Sequence, residues 1–414
     1  MNVHYYMQFF PGEHSPGSLQ PFAFATALAG RGHSVTVITA KYNIDSGADE
    51  PDVDRQTGTG ALRVLRLDCH RGGRQSTVSR LRAYVGFMMA ARRTGRRLGR
   101  PDVVVGSIQP MFTGWAAWKN AQHAGVPFVL EIRDLWPDAL VVKKAISPLQ
   151  ARPLHWMVNT LYRNSARIVS LTPGIKLELV KKGVPAGKVD VFPNGFNPAL
   201  FDVPSGTRDE VRRKYGWGDD FVAIYAGSFQ EVTAVEVYVR AAACLKYHPG
   251  IRLALFGSGP TRKRVEKLAT GQNLTNLEFH EPVPKKDVPA LLAAADVGLM
   301  ALFRSPLVHI YFENKLMDYM GAGLPILAAM DGPQARMIAD SKAGRVTDVF
   351  DHEGLARLIL EVSEDAPARR QMGENGRRVV MDKLLLPDIL NRYADTVEAC
   401  AQGHASEHPV WEPL

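Results

Sequence analysis

A short stretch of the sequence places charged side chains directly before a glycine-rich turn: FENKLMDYMGAGLPIL, residues 312–327. Leu316, Tyr319 and Met320 have the spacing of one helix face. Gly321 and Gly323 are typical of a helix end. Residues 324–329 have the composition of a buried strand.

The start of this helix has the residue types that could hold a nucleoside diphosphate. Helix N-termini attract anions, Glu313 and Asn314 stand at the start, and Lys315 could neutralise phosphate charge. Asp318, one turn further, could accept hydrogen bonds from both hydroxyls of a ribose. The alternative is a surface set of charges that supports the helix. Composition alone does not separate the two.

Three glycine-containing loops follow predicted strands, where ligands bind in open α/β sheets. They are PGEHSPGS with Gly12, Glu13, Gly17 and Ser18; YAGSFQEV with Gly227 and Ser228; and LFGSGPTRKRVEKLA with Gly257 and Gly259. Glycines let the backbone approach a ligand, and a strand, Gly-x-Gly turn and helix form a phosphate-cradle pattern. Plain βα loops would have the same composition.

A fourth strand end carries charge: EIRDLWPDAL, residues 131–140. Arg133 and Asp134 followed by Trp136-Pro137 form an unusual exit from a strand. Buried charges need partners, so these residues could form a binding wall for a polar substrate. A structural ion pair at the strand end is the alternative.

Several other chemistries are not indicated. The Asp-x-Asp sequence at residues 52–54 lies among polar and glycine residues and predicts a solvated loop rather than a metal site. No nucleophile arrangement or metal cluster stands out. Cys69, Cys244 and Cys400 lie far apart, which favours a reduced cytoplasmic protein without disulfides.

Strand-like apolar runs alternate with helix-like stretches along most of the chain. The predicted strands are residues 3–9, 34–40, 62–67, 102–107, 127–132, 167–171 and 189–192, then 221–226, 251–256, 276–279, 296–301 and 324–329. Such alternation indicates parallel sheets covered on both faces. Because it occurs twice in 414 residues, we predict two doubly wound α/β domains.

Proline and glycine in VFPNGFNPALFDVPSG, residues 191–206, mark the predicted boundary. We predict a first domain over 1–195, a second over 196–384, a last helix over about 385–400 and a disordered tail over 401–414.

The net charge of +8 indicates an anionic partner, but the charge is uneven. Between Cys69 and Pro101 there is no acidic residue. The arginines there are Arg71, Arg74, Arg80, Arg82, Arg92, Arg93, Arg96, Arg97 and Arg100. An apolar segment, YVGFMMAA at 84–91, lies among them and suits an anionic membrane surface. A helix with solvated arginines is the alternative. Nucleic acid is disfavoured, because no stacking aromatics or base-reading motif accompany the arginines.

Targeting signals are not indicated. The first ten residues lack the basic start and cleavage site of a signal peptide, and no apolar run reaches a membrane span. We therefore expect a cytoplasmic protein, peripheral on the inner face of the plasma membrane.

Seven segments, in order, resemble glycosyltransferase family 4, which has the GT-B fold. The branch they resemble comprises capsule, exopolysaccharide and O-antigen transferases related to N-acetyl-fucosamine transferases. The segments are ALAGRGHSVTVITAKYN, RPDVVVGSIQP, VPFVLEIRDLWPDALV, RIVSLTPGIKLELVKKGVPAGKVDVFPNGFNPALF, LLAAADVGLMAL, KLMDYMGAGLPILA and RQMGENGRR.

The resemblance implies two Rossmann-like domains facing across a cleft, the first binding the acceptor and the second the nucleotide-sugar. The last helix is expected to cross back onto the first domain. The implied reaction moves a sugar to a hydroxyl with retention at the anomeric carbon, without a metal or other cofactor. Gly12, Glu13 and Gly17 are then expected to shape the floor of the cleft, and Arg133 and Asp134 to line its acceptor side. The expected catalytic residues are Glu13, Arg133 and Asp134, and Gly17 is expected to contact the donor. Asp318 stands where the family has a glutamate that grips the ribose.

The chain departs from the family pattern at the donor side. Many members carry two glutamates eight residues apart, whereas this chain has Ile310 and Asp318. The donor loop AGSFQEVTAVE lacks the usual arginine and lysine and has Ala234 in place of a glycine. We expect Arg304, His309 and Lys315 to supply the missing charge. Arg133 replaces a frequent histidine, although Arg-Asp-Leu-Trp-Pro is shared with the nearest branch.

The expected substrate is a UDP-sugar, more than a GDP-sugar, with a glycan or polyprenyl-diphosphate-linked acceptor in cell-surface polysaccharide biosynthesis. The alternatives are a transferase of a small-molecule natural-product pathway, a non-hydrolysing nucleotide-sugar epimerase, and a non-catalytic partner subunit.

Overall fold

The computed structural model describes residues 1–10, 20–42, 52–57, 59–71 and 77–404. They form two compact units, one built from Met1–Pro193 and the chain after Asp388, the other from Asn194–Pro387. The sequence predicted the domain boundary at residue 195 and the start of the last helix near residue 385.

The first unit contains an eight-stranded sheet in the order β3-β4-β2-β1-β5-β6-β7-β8. Its strands are β1 Asn2–Tyr6, β2 Ser34–Ala40, β3 Val53–Thr57, β4 Gly60–Leu67, β5 Val103–Ser107, β6 Phe128–Ile132, β7 Arg167–Ser170 and β8 Val189–Val191. Neighbouring strands are parallel except β3, which pairs antiparallel with β4 at the edge.

The edge strand corrects the prediction of a solvated loop at residues 52–54. Val53 and Asp54 begin β3, where Asp54 pairs with Arg63. Asp52 precedes it and accepts the backbone N–H of Arg66 at 2.7 Å. Most of β3 is polar and exposed. Sequence periodicity misses such a strand, because an edge strand without a buried face has no apolar pattern.

Helices cover both faces of this sheet. They are α1 Gln20–Gly30, α2 Thr77–Arg97, α3 Met111–Ala124, α4 Asp138–Val142, α5 Pro148–Asn164 and α6 Pro173–Lys181. Successive strand residues point to opposite faces. Tyr5 therefore enters the core with Phe24 of α1, whereas Tyr6 accepts a hydrogen bond from Asn120 of α3 at 2.9 Å. Helices α1 and α3 thus lie on opposite sides of the sheet.

The second unit contains a six-stranded parallel sheet in the order β11-β10-β9-β12-β13-β14. Its strands are β9 Phe221–Ala226, β10 Ile251–Phe256, β11 Leu277–His280, β12 Val297–Ala301, β13 Ile326–Ala329 and β14 Gly344–Thr347. Its helices are α7 Thr207–Tyr215, α8 Glu236–Cys244, α9 Arg262–Thr270, α10 Val288–Ala294, α11 Asn314–Gly321, α12 Pro333–Asp340, α13 His352–Glu364 and α14 Ala366–Lys383. The predicted pair of parallel-sheet α/β domains is confirmed. Strand β14 was not predicted, because its sequence, Gly-Arg-Val-Thr, contains a single apolar side chain and therefore no apolar run.

The last helix, α15 Leu386–Ala401, supplies side chains to the core of the first unit. Tyr393 stacks on Phe24 with 3.7 Å between ring centroids. Its hydroxyl also donates to Glu131 at 2.7 Å, and Tyr5 donates to the other carboxylate oxygen at 2.6 Å. Glu131 is 1 % exposed, so these two hydrogen bonds solvate a charge that water barely reaches. None of the described helices is both long and apolar enough to cross a membrane.

We expect Tyr393→Phe to loosen α15. The substitution leaves one buried carboxylate oxygen of Glu131 without its tyrosine donor, which costs about 1.5–3 kcal/mol for a hydrogen bond to a charged group. Hydrogen exchange of residues 386–401 should become faster, and urea should unfold the first unit at lower concentration. Tyr247→Phe is the matched control, because that ring is 81 % exposed. Equal behaviour of both variants would contradict the role given to the Glu131 hydrogen bonds.

Candidate active site

The charged residues that precede the glycine-rich turn in residues 312–327 lie at the start of α11. Glu313 precedes the helix in an extended conformation, and its N–H donates to the Gln334 side-chain oxygen of α12 at 2.8 Å. The helix stops where the glycines predicted: Gly323 has φ +69°, and its N–H bonds to the Met320 carbonyl at 3.0 Å. The first turn of α11 is thus fixed to its neighbour by a buried amide.

The Lys315 side chain is largely buried at the start of α11. Its Nζ is 3.2–3.3 Å from the carboxylate oxygens of Glu313, 3.3 Å from the Tyr225 hydroxyl and 4.4 Å from the centre of the Tyr225 ring. Burial alone would lower the pKa of Lys315, but the Glu313 carboxylate outweighs it and the pKa lies above its ordinary value. Glu313 thus balances the charge of Lys315, and the expectation that Lys315 also supplies charge to the donor stays a prediction.

Gly227 belongs to the same arrangement. A Cβ atom there would lie 2.9 Å from Cε and 3.0 Å from Nζ of Lys315. A side chain at position 227 would therefore displace the buried ammonium. Next to it, the Ser228 carbonyl accepts hydrogen bonds from the hydroxyls of Tyr225 (2.6 Å) and Thr233 (3.0 Å). The loop after β9 is thus shaped around Lys315.

The glycines of the predicted phosphate cradle, Gly257 and Gly259, lie against neighbouring backbone. Cβ atoms there would lie 1.8 Å from the Gly227 carbonyl oxygen and 2.3 Å from the Phe229 carbonyl oxygen. The Gly257 N–H donates to the His280 carbonyl at 3.2 Å. These glycines therefore let two loops at the carboxyl edge of the sheet touch. Their use as a phosphate cradle stays a prediction.

Asp318 has a partner that the sequence did not reveal. Its carboxylate accepts a 2.5 Å hydrogen bond from Lys285, which lies before α10. The lysine side chain is 48 % exposed and the aspartate 19 %, so a surface pair of this kind contributes little to stability. Position 285 in VPKKDV has no spacing signal that connects it with α11.

The other predicted donor-side residues lie on the connection between β12 and α11 or at the helix start. Arg304 is exposed, and His309 lies in the short turn Val308–Ile310. Asn314, the first residue of α11, accepts a hydrogen bond from the Asn194 side chain. The structure thus brings Glu313, Asn314, Lys315 and the loop at Gly227 together around one helix start.

The predicted acceptor-side residues end β6 in the first unit, but they do not pair with each other. Arg133 donates to the Gln20 side chain at 2.9 Å and lies 3.6 Å from Glu131. Asp134 accepts from the Gln109 side chain at 2.7 Å. Desolvation raises the pKa of Asp134, although that hydrogen bond opposes the shift. Gln20 and Gln109 were missed, because an isolated glutamine gives no sequence signal.

Two predicted residues, Glu13 and Gly17, lie outside the described residues, as do Gly12 and Ser18. Among the described residues, no three His, Cys, Asp or Glu side chains are grouped so that they could hold a metal ion.

The buried ion pair predicts a thermodynamic signature. Glu313→Gln should destabilise the second unit by roughly 3–5 kcal/mol, because it leaves the Lys315 charge buried and unpaired. Lys315 then has a lowered pKa, so the unfolded chain binds the proton more tightly. The loss of unfolding free energy in Glu313→Gln should therefore become smaller as the pH rises toward 10.5, the ordinary pKa of lysine.

The control is the double variant Glu313→Gln with Lys315→Met, which removes both charges and should be far less destabilised. Urea denaturation at pH 7 and pH 10 measures the free energy of unfolding of the single and the double variant. A double variant as unstable as the single one would contradict the buried pair.

Known proteins resemble the chain along most of its length. WcaI of Escherichia coli K12, whose name assigns it to colanic acid biosynthesis, is 26 % identical over 309 residues, covering 72 % of this chain and 75 % of WcaI. A D-inositol 3-phosphate glycosyltransferase of Paenarthrobacter aurescens is 27 % identical, covering 63 % of this chain and 64 % of that protein. The lipopolysaccharide core biosynthesis glycosyltransferase LpsE of Rhizobium meliloti is 28 % identical, covering 56 % and 64 %.

Solved structures share the fold. Sucrose-phosphate synthase from Thermosynechococcus elongatus superposes with a TM-score of 0.77 at 20 % identity, covering 97 % of this chain and 99 % of that chain. Anabaena HepE in complex with UDP-glucose superposes with a TM-score of 0.71 at 16 % identity, covering 96 % and 100 %.

Family models match both halves of the chain. Residues 23–195 match the glycosyl transferase 4-like domain, and residues 207–379 match the glycosyl transferases group 1. Together with the two parallel-sheet units, these matches show that the chain belongs to glycosyltransferase family 4 and has the GT-B fold.

Proposed function

We propose that the protein transfers a sugar from a nucleoside-diphosphate sugar to a hydroxyl, with retention at the anomeric carbon and without a bound metal. A UDP-sugar is favoured over a GDP-sugar, and a glycan or polyprenyl-diphosphate-linked acceptor of cell-surface polysaccharide biosynthesis is the second substrate. The observation that carries the proposal is the helix start at Glu313–Lys315, held beside the loops at Gly227 and Gly257 at the carboxyl edge of a parallel sheet.

This arrangement suits a leaving diphosphate. Negative charge develops on the diphosphate as the glycosidic bond breaks, and groups fixed in advance at that position lower the barrier. The N–H groups of the first turn of α11 point in this direction by the geometry of a helix N-terminus. Arg304 and His309 lie on the connection that leads into the helix. A diphosphate oxygen takes the acceptor proton in this proposal, so no separate general base is assigned.

The relatives support this choice of substrates. HepE was solved with UDP and with UDP-glucose, which supports a uridine nucleotide for this fold. WcaI and LpsE are named for colanic acid and lipopolysaccharide core biosynthesis, which supports a glycan acceptor. On the acceptor side we place Arg133 and Asp134, each held by a glutamine. The same names support the polysaccharide branch that the sequence resembles.

A small-molecule acceptor is the second candidate. Relatives named D-inositol 3-phosphate glycosyltransferase and N-acetyl-alpha-D-glucosaminyl L-malate synthase favour it. Turnover with a water-soluble polyol or hydroxy acid, and none with lipid-linked glycans, would establish this alternative.

We also propose that α2 lies on an anionic membrane surface. Its buried side chains Ala83, Phe87 and Ala91 recur every fourth residue, and the opposite side exposes Val78, Leu81, Val85 and Met89 among arginines. A helix of this kind suits the boundary between lipid headgroups and acyl chains.

The experiment for the reaction is a donor panel with the purified protein. We expect a UDP-sugar to be consumed only when an acceptor extract is present, with EDTA causing no loss, and we expect NMR to show the anomeric configuration of the donor in the product. Inversion of configuration, or consumption without acceptor at the same rate, would contradict the proposal. The second outcome would favour an epimerase.

Asp318→Ala tests the ribose contact. Loss of hydrogen bonds to a charged group of about 1.5–3 kcal/mol should raise the donor KM by roughly ten- to a hundredfold, with a smaller effect on kcat. Lys285→Ala breaks the ion pair but keeps the carboxylate, and should change the KM little. Asp340→Ala, an exposed aspartate of α12, is the neutral control. Steady-state kinetics at subsaturating donor would disprove the contact if Asp318→Ala behaved like Asp340→Ala.

A further inference from the structure

Three helices of the first unit form one layer on a single face of its sheet. Tyr84 of α2 stacks on Phe112 of α3, with 6.1 Å between ring centroids. Trp115 of α3 contacts Trp156 of α5, with 5.6 Å between centroids. Helix α3 therefore lies between α2 and α5. We call the outer surface of α2, α3 and α5 the cationic helical face.

The cationic helical face contains no acidic residue in any of its three helices. It has six arginines in α2, one lysine in α3 and two arginines in α5. Helix α15 on the other side of the sheet has three acidic residues, Asp388, Asp395 and Glu398, and one basic residue, Arg392. The helices of the cationic helical face thus combine basic residues with no acidic ones. Such a composition favours contact with an extended anionic surface.

The same face exposes apolar side chains. Thirteen large apolar side chains are exposed among the described residues, and six of them lie on α2 and α5. They are Val78, Leu81, Val85, Met89, Leu149 and Trp156. Leu149 is 68 % exposed and Trp156 60 %. Single exposed apolar residues are ordinary, but a concentration of them marks an interaction surface.

The aromatic part of the face is held in place. Trp115 also contacts Trp118 at 4.8 Å between centroids, and the Lys119 ammonium lies 4.0 Å from the centre of the Trp118 ring. Trp156 is packed on this cluster on one side and exposed on the other. Tryptophan beside lysine and arginine is the composition that bilayer interfaces favour, because the ring is apolar and the N–H stays hydrated.

We propose that Trp156 and Leu149 of α5 enter the headgroup–acyl boundary of an anionic bilayer while the arginines of α2 bind its headgroups. This inference extends the membrane association proposed for α2 and rests on it. A bilayer meets both requirements of the face, since it offers continuous negative charge and an apolar layer below it. A nucleic acid would meet only the first.

The experiment measures binding of the full chain to sucrose-loaded vesicles by sedimentation. The vesicles contain phosphatidylcholine alone, or phosphatidylcholine with a quarter of phosphatidylglycerol. We expect at least tenfold stronger partition into the anionic vesicles, and Trp156→Ala and Leu149→Ser should each weaken it severalfold. Tyr247→Ala, which removes an 81 % exposed ring from the second unit, should have no effect.

Bromine-labelled acyl chains provide the positional readout. They should quench the fluorescence of the wild-type protein more than that of Trp156→Phe, because bromine quenches only rings at membrane depth. Equal quenching, or Trp156→Ala and Leu149→Ser binding like Tyr247→Ala, would overturn the proposal for α5. Binding to a short duplex RNA with no preference for anionic vesicles would overturn it in favour of nucleic acid.

The variants distinguish this inference about α5 from the proposals on which it rests. If Arg82, Arg93 and Arg96 changed to Gln abolish vesicle binding while Trp156→Ala does not, α2 associates with lipid and α5 does not. Donor binding, measured as nucleotide-induced thermal stabilisation, should be unchanged in Trp156→Ala, because Trp156 lies in the first unit. If nucleotides did not stabilise the wild-type protein, that result would contradict the proposed reaction but not the proposed membrane contact.

Discussion

The Lys315 ammonium lies in the interior of the second unit, and an unpaired charge there would cost several kcal/mol. Glu313 supplies the partner from the residue that precedes α11, so the ion pair also fixes where the helix begins. Gly227 must lack a side chain to pack against the ammonium, and Gly257 must lack one to pack against Gly227. One buried charge therefore determines the conformation of three chain segments at the carboxyl edge of the sheet.

This constraint changes the electrostatics expected of a donor site. Glu313 balances the charge of Lys315 within the protein. Arg304 is exposed on the connection between β12 and α11, and Lys285 pairs with Asp318. The helix N–H groups therefore gain importance in the proposed stabilisation of the diphosphate.

Sequence patterns predicted the fold well, because buried parallel strands are continuous apolar runs and helices between them have caps and glycine stops. They failed at β3 and β14, which lie at sheet edges and lack a fully buried face. In the site, the end of α11 could be predicted from its glycines, whereas the role of Asp318 comes from the family resemblance and stays a prediction. The partners Lys285, Gln109, Gln334 and Gln20 could not be predicted, because they come from distant segments and only the folded chain brings them near. The ion pair between Lys315 and Glu313 likewise depends on burial, which a single sequence does not show directly.

The central claim is that the second unit binds a nucleoside diphosphate at the start of α11. Thermal unfolding of the purified protein with UDP, with GDP and with neither tests it most directly. A nucleotide at about 100 times its Kd should stabilise the folded protein by about 2.7 kcal/mol, which corresponds to a few degrees for a chain of this size. We expect UDP to raise the Tm, and we expect this shift to be lost in Asp318→Ala. No shift with either nucleotide would contradict the claim and would favour a non-catalytic partner subunit.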